Sequence, residues 1–272
     1  MKISSQKLQQ FQKTIYHYYQ KNRRDLPWRN TRNPYHILVS EVMLQQTQVA
    51  RVLKKYPEFL MAFPTIESLA MSSIKDVLKV WQGMGYNRRA LYLQSAAKII
   101  VEKYKGIIPQ DRKVFETLPG IGKGTSGSIA AFAYNKPAIF IETNIRRVYI
   151  HFFFQNKENI SDKEILPLVE KTIDAKNPRE WYYALMDYGA MLAKTVKNPN
   201  RKSKHYVKQS RFTGSDRQIR GVIVKYLLNK NETEEKLRKI AGLERKRFKK
   251  ILSDLKSEGF LLEQKGALRL FK

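Results

Sequence analysis

The 272-residue sequence contains no cysteine. Disulfides, thiolate-bound zinc and iron–sulfur clusters are thereby excluded. Its four histidines, His17, His36, His151 and His205, show no paired spacing that would hold a transition metal. No apolar run is long enough to span a bilayer, and no lipidation motif stands at either end. Met1-Lys2-Ile3-Ser4-Ser5-Gln6 lacks the apolar core of a signal peptide, so a cytoplasmic place is expected, on the nucleoid in a prokaryote, with no membrane partner. Acidic residues are scarce: 24 Asp and Glu stand against 52 Lys and Arg, a net charge of +28. Such an imbalance argues for a polyanionic partner through field steering and counterion release, and says nothing of fold. Nucleic acid is the leading candidate.

What is present is helical. Apolar side chains recur at helical spacing over Gln6–Asn22, Ile66–Ala70, Ile74–Trp81, Arg88–Tyr104, Asp162–Ile173 and Pro178–Lys194, with no convincing alternating run among them. Leu26-Pro27-Trp28-Arg29 breaks the first helix, and Trp28 is read either as a core plug or as a site residue. Pro34–Leu53 is read as one helix carrying Ser40-Glu41 and the run Gln45-Gln46-Thr47-Gln48. Uncharged amides there can bond base edges; a solvated helix end is the other reading. Lys194 to Arg211 holds seven basic residues and no acidic one, a connector for a phosphate backbone or a solvated charge run. From Asp216 the pattern changes to three helices, Ile219–Leu228, Glu234–Ala241 and Arg245–Ser257, then strand, turn and strand over Phe260–Leu270, which resembles a winged-helix module.

The organising stretch is Leu118-Pro119-Gly120-Ile121-Gly122-Lys123-Gly124-Thr125, between helix-like Lys113–Thr117 and Thr125–Tyr134. Its proline and three glycines mark a tight turn between two helices. Uncovered amides at a helix start can grip a phosphate without reading sequence. Glu142 follows Gly124 by 18 residues, after an apolar run and at the start of another helix pattern.

Four stretches then match one family in order: Leu26-Pro27-Trp28-Arg29, Ser40-Glu41-Val42-Met43-Leu44-Gln45-Gln46-Thr47-Gln48-Val49, Trp81-Gln82-Gly83-Met84-Gly85-Tyr86, and Leu118 to Thr125. Over about residues 6–200 the chain resembles the helix-hairpin-helix (HhH-GPD) DNA glycosylases, and within them the MutY-type adenine glycosylases. The resemblance implies an all-α, two-domain fold with a small C-terminal winged-helix-like α+β module. The expected domains are 1–28 with 142–213, a helical barrel over 29–141 that holds the hairpin motif 113–134, and 214–272. It implies a monomer acting on double-stranded DNA and flipping a mispaired adenine into the protein.

Breaking an N-glycosidic bond builds positive charge on the sugar and negative charge on the base, so one carboxyl should protonate the base while an anion faces the sugar. The resemblance gives these roles to Glu41 and Glu142, with Asn144 supporting the pocket. It assigns DNA or base contacts to Trp28, Arg29, Leu44, Gln45, Gln46, Tyr86, Gly120, Gly122, Lys123, Gly124 and Thr125. A monovalent cation on the hairpin carbonyls of Leu118, Gly120 and Ile121 is the sole cofactor it implies.

The chain departs from the family's pattern at several points. Glu142 stands where the family has aspartate, which moves the charge by roughly 1.5 Å, a displacement that can cost ~10²-fold in rate. The lyases of endonuclease III type carry their Schiff-base lysine where this chain has Gly124, with Lys123 one residue early, so a monofunctional enzyme is expected. Ala193, Asn200, Ser203 and Gln209 stand at the cluster-cysteine positions. The C-terminal segment is far smaller than the family's 8-oxoguanine-sensing domain, and Asn87 replaces a second aromatic. A thymine or uracil mismatch glycosylase, and a catalytically weak DNA-structure-binding protein, stay open as alternatives.

Overall fold

The structure is a computed structural model that describes residues 3–209, 211–264 and 266–271. Met1 and Lys2 of the N-terminal reading, Ser210 of the basic connector, Lys265 of the expected turn and Lys272 lie outside the described residues.

Fourteen α-helices, two short 3₁₀ helices (Pro27–Arg29 and Pro199–Lys202) and one two-stranded sheet account for the regular structure among the described residues. In chain order the first helices are α1 (Ser5–Asn22), α2 (Pro34–Leu44), α3 (Val49–Ala62), α4 (Ile66–Met71), α5 (Ile74–Trp81), α6 (Arg88–Tyr104) and α7 (Arg112–Glu116). The hairpin leads into α8 (Lys123–Tyr134), followed by α9 (Thr143–Phe153), α10 (Asp162–Thr172) and α11 (Pro178–Thr195). The C-terminal segment adds α12 (Asp216–Leu227), α13 (Glu234–Ala241), α14 (Arg245–Ser257), β1 (Leu261–Gln264) and β2 (Ala267–Leu270). The all-α reading with a small α+β end holds. One helix expectation does not: Pro34–Leu53 is broken after Leu44, and the glutamines occupy a turn in which Gln46 takes φ 53°.

The chain forms two compact units. The first comprises the described residues up to Glu41, together with Pro109–Thr117 and Ile121–Lys208; the second comprises Val42–Ile108, Leu118–Gly120 and the described residues from Gln209 onward. Leu118–Gly120 of the hairpin count with the second unit and Ile121 onward with the first, and the C-terminal module counts with α3–α6.

The first unit packs α1, α9 and α11 around an aromatic cluster. Phe11 meets Tyr149 at 5.3 Å and Trp181 at 5.8 Å between ring centroids, an arrangement worth more than its buried area alone. Two of its helices start on side-chain oxygens, Ser4 beneath α1 and the Ser161–Glu164 box of α10. In α8 the run of small residues lets a neighbouring segment approach: a Cβ on Gly127 would lie 2.7 Å from that of Phe140.

The second unit buries Trp81 and Phe59, 5.8 Å apart, between α3, α5 and α6. In its C-terminal module α12 packs on α13, α14 and β2, and the β1–β2 hairpin gains an antiparallel bridge between Glu232 and Leu268. Phe248, Ile251, Leu252 and Leu255 bury one side of α14. Its basic residues stand on the remaining surface, where Arg247 pairs with Asp216 at 2.7 Å.

Candidate active site

Glu41 lies one turn before the end of α2, half-buried. Loss of hydration raises its carboxyl from the usual carboxylate range to about 7; the nearby Glu142 pushes the same way, while a hydrogen bond with Ser128 and the charge of Arg29 oppose. A carboxyl in that range keeps its proton in a large share of molecules at neutral pH and can act as an acid.

Glu142 is the N-cap of α9. Its Oε1 accepts the backbone N–H groups of Asn144 at 2.7 Å and Ile145 at 2.9 Å, and its Oε2 faces the Asn144 side-chain amide at 3.3 Å. Burial raises this carboxyl too, against those amides and the charges of Arg147 and Arg146. The donors all favour the anion, as does the helix start. The extra methylene of Glu is therefore spent folding the carboxylate back onto its own helix.

Asn144 is fixed from its other side. Arg147 donates to its Oδ1 at 2.7 Å and to the Gly189 carbonyl at 2.7 Å. α11 comes so close here that a Cβ on Gly189 would sit 2.5 Å from the Asn144 carbonyl oxygen, which leaves room for glycine alone.

Trp28 and Arg29 are packed into the first unit rather than presented at its surface. Trp28 is 4% exposed. The Arg29 guanidinium forms a two-pronged ion pair with Asp187, 2.8 Å on each arm, and lies 4.5 Å above the Tyr183 ring. Arg24 adds its backbone amide at 2.9 Å and its Nε at 2.6 Å to the same carboxylate. Asp187 held by two arginines stays below its ordinary range although burial alone would raise it. Arg29 thus acts on Glu41 through its charge, and sequence reading missed Asp187, whose only signal was an acid in the apolar middle of a helix.

The hairpin is divided. Ile121 is buried, Gly122 and Lys123 are exposed, and Gly124 and Thr125 are half-buried. Gly122, the N-cap of α8, brings no side-chain oxygen to the first turn, so the cap leaves room for an outside acceptor. A Cβ at Gly124 would meet only the Ile141 carbonyl, at an ordinary 3.6 Å.

In the second unit, Gln45 and Gln46 follow α2, with half-buried Leu44 at its end. The Gln45 amide donates to the Gly120 carbonyl at 3.2 Å, so one of the carbonyls expected to face a cation is already engaged. Arg89, which sequence reading also missed, organises this region. Its buried guanidinium donates to the carbonyls of Val42, Met43 and Gln45, to Thr47 Oγ1, and to the carbonyls of Met84 and Gly85, at 2.6–3.3 Å. Burial pulls Arg89 down to about 10, so it remains charged at neutral pH. Tyr86, at φ 48°, lies with its ring 5.5 Å from Arg89.

Of the four cluster-cysteine positions, Ala193 ends α11 exposed, Asn200 donates to the Thr143 carbonyl at 2.9 Å, Ser203 bridges to Ile160, and Gln209 donates to the Tyr86 hydroxyl. Among the described residues no group of three or more His, Asp or Glu could hold a metal ion.

The sequence model of the HhH-GPD superfamily of base excision DNA repair proteins matches residues 39–174. The chain belongs to that superfamily. It is 38% identical over 187 residues to an adenine DNA glycosylase of Buchnera aphidicola (subsp. Baizongia pistaciae), covering 67% of this chain and 52% of the relative. It is 31% identical over 192 residues to a thymine/uracil-DNA glycosylase of Methanothermobacter thermautotrophicus, covering 70% and 87%. Among solved structures it is similar to a thermostable thymine-DNA glycosylase, with a TM-score of 0.64, 29% identity, and coverage of 72% of this chain and 92% of that one. The chain spans about half the length of the first of these relatives.

Proposed function

We propose that the chain is a monofunctional DNA glycosylase that hydrolyses adenine mispaired with guanine or 8-oxoguanine in double-stranded DNA. One observation carries the reading: two carboxyls within electrostatic reach stand in different surroundings, Glu41 raised to about 7 by desolvation and Glu142, which burial raises as well, wrapped in N–H donors that favour its anion. Glu41 gives its proton to a ring nitrogen of the adenine as the bond to the sugar breaks, so the bond's electron pair leaves on a neutral base. Glu142 faces the sugar cation and takes a proton from the water that adds to it. The amides after Gly122 hold a phosphate of the backbone, and the +28 charge supplies affinity without sequence preference.

The test is incubation with labelled duplexes carrying A opposite 8-oxoguanine, A opposite G, T opposite G and U opposite G, each developed with and without hot alkali. Alkali-dependent cleavage confined to the adenine duplexes is expected. Cleavage at T or U alone would favour the thymine/uracil reading, which the 87% coverage of the Methanothermobacter relative keeps in play. Tight binding with no cleavage would leave a DNA-structure-binding protein.

A pH prediction follows from Glu41. An acid that must be protonated works below its own range, so the single-turnover rate should fall roughly tenfold per unit above about pH 7, while Glu142, which burial also raises and which must be ionised, makes it fall again on the acid side. A rate that rises through the same window would remove Glu41 from the acid role.

A second prediction concerns Gly124. Lysine there has room at its Cβ, and replaces a glycine inside a helix, a change worth up to about 1 kcal/mol in stability. Gly124→Lys should form a covalent complex with substrate DNA that borohydride traps, where the wild type forms none. Trapping by the wild type would show that Lys123 already serves as a nucleophile.

A further inference from the structure

The C-terminal module runs helix, bridge, helix, turn, helix and hairpin. After α12, Glu232 pairs with Leu268 of β2, so a third short stretch joins the β1–β2 sheet before α13 begins. Only Gly242, Leu243 and Glu244 separate α13 from α14, and Gly242 closes α13 at φ 63°, a conformation that glycine adopts freely. Two helices joined by a short glycine turn, both packed on α12, make a helix-turn-helix, with the hairpin in the place of a wing.

The charge on α14 is arranged against the stability of the helix. Six of its thirteen residues are Lys or Arg, and one, Asp254, is acidic. Arg245, Lys246 and Arg247 fill the first turn, the end at which the peptide dipoles disfavour a cation. Arg245 and Lys249, like Lys246 and Lys250, are equal charges one turn apart, which weakens a helix. The preceding helix does the opposite: Glu234 and Glu235 begin α13, and Arg238 and Lys239 end it. Lys236 there pairs with Glu232 at 2.9 Å and Arg238 with Glu235 at 2.8 Å. On α14, Arg247 is held by Asp216 and Lys256 by Glu263 at 2.6 Å. Arg245, Lys246, Lys249 and Lys250 are exposed and form no ion pair among the described residues.

The unpaired cations share a face. Phe248, Ile251, Leu252 and Leu255 turn one side of α14 inward, so Lys246, Lys249, Lys250, Ser253 and Ser257 fall on the opposite side at helical spacing, all exposed. Glu258, just past the last turn, takes Arg88 and Arg220, which anchors that end of the helix to α6 and α12. The stripe carries no arginine, asparagine or glutamine, the side chains that read a base edge through paired bonds. Lysines are mobile point charges suited to phosphates.

We propose that α14 is the docking helix of a second DNA-binding surface, which seats against the major groove of an intact duplex and places its lysines on the flanking phosphates without reading sequence. Phosphates then take the place of solution counterions around the lysines, and the repulsion among them is relieved. The inference goes beyond base excision and holds whichever base is removed.

The experiment measures the affinity of the full chain for undamaged duplexes of several sequences over a salt series, by fluorescence anisotropy. With Lys246→Ala, Lys249→Ala and Lys250→Ala combined, binding should weaken roughly tenfold or more on every sequence, and the slope of log affinity against log salt should fall by roughly two to three. Removing the same charge from exposed positions of α5 and α6, as Lys75→Ala, Lys98→Ala and Lys103→Ala, should change the slope by less than about one. Slopes that move equally in the two variants, or in neither, overturn the proposal. Because the chain has no cysteine, Ser253→Cys introduces a single thiol in the middle of the stripe. Carrying an azidophenacyl group, it should photocrosslink to intact duplex, and unlabelled duplex should compete better than single strand of the same length. No crosslink where the protein is bound to the duplex overturns the docking even if the triple variant fails to fold. A helix that serves a protein partner would leave both readouts unmoved.

Discussion

Glu41→Gln should reduce single-turnover excision of adenine by roughly 10²–10⁴-fold, the range that a positioned general acid contributes, while affinity for the same duplex changes by no more than a few-fold. Glutamine keeps the shape of the side chain and its capacity to bond Ser128, and removes the proton that the leaving base needs. The same substitution should stabilise the fold at high pH. Glu41 keeps its proton in the folded state up to about 7, whereas an unfolded glutamate releases it near its ordinary 4.5. Its contribution is therefore favourable below pH 4.5 and is lost as pH rises through 7, above which the folded state holds a poorly hydrated charge. The neutral amide of the Glu41→Gln variant escapes that cost, so thermal unfolding at pH 8 should move upward as activity disappears. Excision at the wild-type rate by Glu41→Gln would remove the acid role outright, and a lowered midpoint at pH 8 would mean the carboxylate is better solvated than its surroundings indicate.

The second large effect is expected at Arg89. Truncation to alanine strips the donor from five carbonyls and one hydroxyl, several of them buried, and leaves a void beside Trp81. Each unsatisfied buried acceptor costs about 1–3 kcal/mol, and partial rehydration lowers the sum, so a loss of about 3–5 kcal/mol is reasonable. In a chain of this size that lowers the midpoint by roughly 6–20 °C. Arg89→Lys keeps the charge but has a single nitrogen for two rows of carbonyls, so it should recover less than half of the loss. Scanning calorimetry of the three proteins checks the order. A neutral Arg89→Ala would mean that water replaces the guanidinium at little cost.

Arg89 also explains where sequence reading stopped. The helices were legible because apolar residues repeat at helical spacing, and α5, α6, α13 and α14 were delimited from that pattern alone. The end of α2 was not. Nothing between Pro34 and Leu53 signals a break, because the carbonyls freed after Leu44 are collected by an arginine more than 40 residues later. The two carboxyls were legible from motif and order, and so was Glu142 at a helix start. Their surroundings were not: the Arg29–Asp187 pair joins residues 158 apart, and the close approach of Gly189 to Asn144 is a matter of helix packing.

The loop after α11 has a physiological corollary. Asn198 accepts from Arg147 at 3.2 Å, Asn200 reaches the carbonyl of Thr143 beside Glu142, and Ile160 exchanges backbone hydrogen bonds of 2.8 Å with Lys202 and Lys204. Every one of these joints forms as the chain folds. The start of α9 is thus clamped by groups of the chain itself, and the clamp is as lasting as the fold that makes it.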